Sequence, residues 1–160
     1  MGKLPSKRPR ADALMKYHAS ADDLAFRQAF EACKLGADDF SHRAHLRLAY
    51  VYLCEASPAE AAERMRRSLL RFLKHLGVGE GKYHETLTQA WIDAVSHFMR
   101  RTDAVGSFDA FIAASPALLD TDVMLSHYAP ERLFSESARR AYLAPDRDPI
   151  PEGRATAAPD

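Results

Sequence analysis

Apolar side chains recur every three or four residues through most of the chain, and this is the period of an α-helix. The clearest example follows Ser57, where Pro58 and Glu60 complete a capping box with proline at the first helical position. From there one apolar stripe continues to Gly77, a residue type that commonly ends helices. Comparable caps and stripes predict four main helices, at about 20–36, 39–55, 57–77 and 82–101.

Beyond the fourth helix the apolar stretches are short, and each is preceded by a residue that can cap a helix. Pro130 is expected to end one of them. No β-branched run alternates with period two, so we expect no strand. The predicted fold class is therefore all-α: an up-down helical bundle of four main helices with a short-helix C-terminal cover. The starts predicted for the short helices are Ser107, Ser115, Asp120 or Thr121, and Ser135.

The two ends of the chain lack this periodicity. Residues 1–19 are basic and contain prolines, and residues 144–160 contain four prolines. We expect both segments to be mobile tails, because neither has enough apolar residues to pack into a core. Residues 20–143 then form a single helical-bundle domain, which is long enough for one core.

Composition and charge exclude several classes of protein. The 160 residues include 22 basic and 22 acidic side chains, and this neutral balance does not favour a nucleic-acid partner. No apolar run approaches the roughly 20 residues of a membrane span, so no membrane partner is expected. The basic N-terminus is not followed by an apolar stretch, which predicts a cytoplasmic protein. Two cysteines are too few for a disulfide framework or a Cys-rich zinc site.

Three histidines fall on apolar helix faces. On a helical wheel, His42 and His45 lie within one arc of about 120° that also contains Leu46. His84 lies at the centre of the apolar arc of the fourth helix, close to Trp91. The second and fourth helices run parallel in an up-down bundle, so their first turns lie at the same end. We therefore expect the three imidazoles to converge inside one end of the bundle.

Three neutral imidazoles suit a divalent transition metal, and the His-x-x-His spacing places two of them on adjacent turns. The sequence therefore predicts a metal centre of His42, His45 and His84, with zinc preferred and iron as the second choice. Zinc with an open coordination position would activate water to hydrolyse a small-molecule substrate. Glu85 is the candidate catalytic carboxylate beside the metal, and Tyr83 is the candidate that orients a bound group.

The alternative is a non-enzymatic helical module that binds a protein partner or a small ligand. In this interpretation the histidines are structural core residues, each with its own hydrogen-bond partner. Arg64, Arg67 and Arg71 on the third helix then form either a solvated face or a contact for the partner. His84 and Glu85 are similar to the start of the His-Glu-x-x-His helix of zinc metalloproteases. Thr88 replaces the second histidine of that motif, so a protease is not expected.

Overall fold

The computed structural model describes residues 17–150, and all of the regular structure in this range is helical. The all-α prediction is confirmed, since no strand occurs among the described residues. Four long helices come first: α1 spans Ala21–Glu31, α2 His42–Glu55, α3 Pro58–Leu76 and α4 Glu85–Arg101.

Shorter helices complete the described chain. We call residues 116–150 the cover, because its short helices pack on the starts of α2 and α4. Two of the predicted short-helix starts, Ser115 and Asp120, precede 3-10 helices rather than α-helices. The short α-helices are α5 at Phe108–Ala114, α6 at Pro130–Leu133 and α7 at Glu136–Arg140. The 3-10 helices are Ala37–Asp39, Glu80–Lys82, Pro116–Leu119 and Thr121–Ser126.

Serine caps begin five of the seven α-helices that the described residues form. The side chain of Ser41 accepts a hydrogen bond from the N–H of Ala44 at 3.2 Å, and Ser57 forms the expected capping box. Gly77 ends α3 with a φ of 76°, a left-handed conformation that a residue without Cβ adopts at little cost. Pro130, which the sequence analysis places at a helix end, instead occupies the first position of α6.

Two long helices differ from the predicted bounds. α1 ends at Glu31 instead of continuing to Gly36, and Cys33 just beyond it adopts a left-handed φ of 58°. α4 begins at Glu85 instead of near Lys82. The preceding residues Glu80–Lys82 form a 3-10 helix. His84 has extended backbone angles and is the N-cap of α4.

The core lies where α2, α3 and α4 pack against one another, with α1 against α2 and α3. Large side chains are almost fully buried there, and each contributes about 1.5 to 3 kcal/mol relative to an exposed position. The largest of them on these helices are Phe30, Leu46, Leu48, Tyr50, Tyr52, Leu53, Met65, Ile92 and Met99.

Residues on both sides of the predicted domain, 20–143, also pack into the core. Tyr17 is buried, and its hydroxyl donates to the carbonyl oxygen of Thr102 at 2.6 Å. At the other end Ile150 is buried. The other parts of the two segments expected to be tails, residues 1–16 and 151–160, lie outside the described residues.

Acidic residues pair with several arginines of α3. Arg64 lies 3.2 Å from Glu55, and Glu63 lies 4.0 Å from Arg66 and 3.8 Å from Arg67. Exposed ion pairs of this kind contribute about 0 to 1 kcal/mol each. The surface of α3 is therefore a mixed-charge face. Within residues 17–150, no helix combines the length and the apolar character that a membrane span requires.

Candidate functional site

A partly open cavity of about 530 Å³ lies between α2, α3, α4 and the cover. Its wall is mainly apolar and includes five Phe, Tyr or Trp side chains. The three histidines that the sequence analysis selects, His42, His45 and His84, also line it. The hydrogen bonds of each ring decide what this wall can do chemically.

Both ring nitrogens of His84 are engaged within the protein. Nδ1 accepts a hydrogen bond from the backbone N–H of Leu87 at 3.1 Å, which caps α4. Nε2 lies 2.8 Å from the carbonyl oxygen of Leu133 in α6. A carbonyl oxygen can only accept, so Nε2 carries the hydrogen. Burial lowers the pKa of His84, and protonation of Nδ1 would remove the acceptor that caps α4.

His42 begins α2 and also bonds to the cover. Its Nε2 lies 3.0 Å from the carbonyl oxygen of Leu118, so this nitrogen also donates. The ring meets Trp91 edge-on, with 4.7 Å between ring centroids. His42 therefore joins the start of α2 to the 3-10 helix at Pro116–Leu119.

His45 differs from the other two histidines because its Nε2 has no hydrogen-bond partner among the described residues. His45 is half-buried on the cavity wall, and the centroid of its ring lies 5.5 Å from that of Phe40. The Nε2 atom itself is shielded from solvent. Burial, together with the nearby His42, lowers the pKa of His45 from 6.5 to about 4. The ring is therefore uncharged at neutral pH. An unmet buried nitrogen costs about 1 to 3 kcal/mol, which a suitable ligand group would recover.

This hydrogen bonding contradicts the predicted metal centre. A metal ligand must present an unprotonated lone pair, and His84 has none to offer, because its Nε2 carries a hydrogen and its Nδ1 accepts from the N–H of Leu87. Within residues 17–150 no group of three His, Cys, Asp or Glu could hold a metal ion. The prediction that His42, His45 and His84 form a metal-binding site is wrong, because the described residues bring no such group of ligands together and both ring nitrogens of His84 bond within the protein. The predicted zinc or iron, and the hydrolysis assigned to it, depended on that site and are not carried further.

Only one of the two predicted catalytic residues lines the cavity. Tyr83 does so, and its hydroxyl donates to Oε1 of Glu85 at 2.7 Å. Glu85 is outside the cavity wall, where Oε2 accepts from Gln89 at 2.5 Å and Oε1 lies 3.7 Å from Nε of Arg66. Burial raises the pKa of Tyr83, so its hydroxyl remains protonated at neutral pH. The catalytic role of this pair stays a prediction.

Full charges lie only at the mouth of the cavity. Lys82 and Asp122 are the Lys, Arg, Asp or Glu side chains on the described wall, and both are exposed. Deeper in the wall, Thr88 donates its hydroxyl hydrogen to the carbonyl oxygen of His84 at 2.8 Å, one turn earlier. The interior therefore offers apolar surface, aromatic rings and one unsatisfied neutral imidazole.

Several lining residues were missed by the sequence analysis. Phe40 immediately precedes the N-cap Ser41, where an apolar residue often packs back on its helix, so the sequence contained a signal for it. Phe134 reaches the cavity from the cover although its side chain is 56% exposed, and Lys82 lies at the mouth. Their positions depend on long-range packing that helical periodicity does not describe.

Comparisons with known proteins do not place the chain in a family. No protein-family model matches it, and no significant match was found among curated proteins or solved structures. Evidence on function therefore comes from the geometry of the cavity.

Proposed function

We propose that this domain binds a small, mostly apolar molecule in the cavity between its long helices and the cover. The observation that supports this most directly is the cavity volume of about 530 Å³. Protein cores are close-packed and contain few voids larger than a water molecule. Ligand pockets, in contrast, typically enclose roughly 300 to 1,000 Å³. The cavity has the size of a binding site rather than of a packing defect.

The wall of the cavity favours an apolar occupant. Leu73, Leu87 and Met124 provide aliphatic surface, and Phe72 and Trp91 provide aromatic surface. Burial of apolar ligand surface against such a wall contributes about 25 cal/mol per Å². A charged group at the same depth would lose its hydration without gaining a counter-ion. The buried part of the ligand is therefore uncharged.

The positions of two histidines also support the up-down arrangement predicted for the long helices. His42 lies at the start of α2 and His84 at the start of α4, and both line the same cavity. Two helix starts meet at one site when the helices run parallel, as alternate helices do in an up-down bundle. We include this parallel pair of helices in the proposal as the frame of the binding site.

An apolar probe without hydrogen-bonding groups tests the proposal. Naphthalene added to ¹⁵N-labelled protein should shift the amide resonances of cavity residues in α2, α3 and α4, with saturation at one molecule per chain. In the variant Leu73→Trp the larger side chain occupies part of the cavity, since Leu73 belongs to its wall. We expect naphthalene to bind this variant at least about tenfold more weakly.

A matched control adds the same side chain outside the cavity. Leu119 is 43% exposed on the cover and does not belong to the wall, so Leu119→Trp should bind naphthalene as the wild-type protein does. Melting curves of both variants establish that they are folded. Saturable binding that is equal in Leu73→Trp and the wild type, or no saturable binding to the wild type, would contradict the proposal.

A further inference from the structure

We propose that the occupant of the cavity is a neutral, planar aromatic molecule with one hydroxyl group that hydrogen-bonds to the His45 imidazole. This inference rests on the proposed function and adds the chemical class of the ligand to it. Three features of the described residues support it: aromatic rings on several sides, an uncharged interior and one polar atom without a partner.

Aromatic rings contribute to the wall from different elements of the fold. Phe40 and Phe72 are tilted against each other with 5.7 Å between their centroids. Trp91 belongs to α4 and Phe134 to the cover, and both line the same cavity. Offset-stacked and edge-to-face contacts between rings are favourable beyond the burial of their surface. A flat aromatic ligand can make these contacts, and an aliphatic molecule of equal volume cannot.

The charge distribution disfavours an ionised group in the buried part of the ligand. Lys82 and Asp122, at the mouth, are exposed and have opposite charges. The His45 ring is uncharged at neutral pH, as described above, and provides no counter-ion. A carboxylate or an ammonium group beside it would lose hydration without compensation.

A single hydroxyl group matches the unmet hydrogen bond of His45. A neutral imidazole nitrogen either donates or accepts, depending on the tautomer, and a hydroxyl group can pair with either. Because Nε2 is shielded from solvent, bulk water does not replace its missing partner. The His45 ring lines the cavity and its terminal torsion is soft, and the proposal requires the ring to rotate so that Nε2 faces the occupant. Tyr83 and Thr88 already donate their hydroxyl hydrogens within the protein, so one ligand hydroxyl is sufficient.

Three probes with the same ring system test this class. They are naphthalene, 2-naphthol and 2-naphthoate, which differ in one substituent. We expect wild-type protein to bind 2-naphthol about tenfold more tightly than naphthalene, the effect of one hydrogen bond to a buried group. We expect 2-naphthoate to bind about tenfold more weakly than 2-naphthol, because its carboxylate has no counter-ion in the interior.

The variant His45→Phe keeps an aromatic ring and removes the polar nitrogens. Its preference for 2-naphthol over naphthalene should fall below about twofold, while its affinity for naphthalene should change by less than about threefold. His97→Phe is the matched control, since His97 is a half-buried histidine of α4 that does not line the cavity. This control should keep the tenfold preference.

The outcomes separate this inference from the proposed function. An equal preference for 2-naphthol in wild-type protein and in His45→Phe overturns the inference and leaves the naphthalene-binding cavity in place. A wild-type protein that does not bind naphthalene overturns both. A second measurement needs no variant: in protein with ¹⁵N-labelled histidine, 2-naphthol should move the Nε2 resonance of His45 and naphthalene should not. Equal movement with the two probes also overturns the inference.

Discussion

The long helices and the cover share one apolar core, to which the cover contributes Leu118, Met124 and Tyr128, but they differ in helix length and in hydrogen bonding. α2, α3 and α4 bury large apolar side chains such as Leu53 and Met65 against one another. The cover consists of short helices, and side chains of the long-helix region donate hydrogen bonds to its backbone carbonyl oxygens. These bonds run from His42 to Leu118, from His84 to Leu133 and from Thr86 to Ala141.

The helices of the cover have only four to six residues each, so we expect the two sides of the cavity to have unequal local stability. Apolar burial is cumulative, and the loss of one contact is shared by a large packed region. Each hydrogen bond contributes a net of only about 0.5 to 1.5 kcal/mol and depends on one donor and one acceptor. Local opening of the cover should therefore require less free energy than unfolding of the long helices.

The largest expected effect comes from a substitution in the apolar core of the long helices. Leu53→Ala removes a fully buried side chain of α2, and we expect the free energy of unfolding to fall by about 3 to 4 kcal/mol in urea denaturation. Amide hydrogen exchange should accelerate in the cover and the long helices alike, because both depend on this core. The exposed Leu119→Ala serves as the control and should change the free energy by less than about 0.5 kcal/mol. A loss below about 1 kcal/mol in Leu53→Ala would contradict the assigned role of the core.

The pH dependence of the free energy of unfolding tests whether His45 is buried in its uncharged form. Its pKa is about 4 in the folded protein and 6.5 ordinarily, so the unfolded chain takes up a proton first as the pH falls. Unfolding then binds more protons, and the free energy of unfolding decreases as the pH falls from about 6.5 to 4. Between pH 7 and pH 4.5, His45→Phe should lose about 2 to 3 kcal/mol less than the wild type in urea denaturation. Parallel stability profiles for the two proteins would show that His45 is not the group that titrates.

The smallest effect tests the attachment of the cover. His84→Ala removes both the N-cap of α4 and the donor to Leu133. We expect this variant to lower the free energy of unfolding by about 2 kcal/mol. In His84→Asn the asparagine side chain restores an acceptor for the N–H of Leu87 but is too short to reach Leu133. We expect this variant to lower the free energy of unfolding by about 1 kcal/mol. Hydrogen exchange should locate the remaining loss in the cover. Equal losses in the two variants would contradict the capping role of His84.

Local interactions explain which parts of the fold the sequence could predict. The caps Ser41, Ser57 and Ser107 each bond to a backbone N–H three residues later, so their signals lie within one helical turn. The early start predicted for α4 has a local cause as well. His84 is an uncommon N-cap residue, so the sequence did not mark it as the boundary of the helix, whose apolar arc begins at this residue.

The chemistry of the histidines could be predicted only in part. Helical periodicity indicated that His42, His45 and His84 face the interior, and all three line the cavity. A neutral imidazole can bind a metal or a carbonyl oxygen, and its own sequence position does not distinguish them. The carbonyl oxygens that pair with His42 and His84 come from 76 and 49 residues away. For His84, whose other nitrogen caps α4, only the tertiary position of the cover decides between the two roles.

The indole on the cavity wall has a practical consequence. Trp91 is the single tryptophan of the chain, it is 6% exposed, and its ring borders the space that a ligand would fill. Indole emission depends on the polarity of its surroundings and on energy transfer to neighbouring rings. The native chain therefore has an intrinsic fluorescent reporter at the site, and variants such as His45→Phe keep it unchanged. Occupancy can be followed optically without any attached dye.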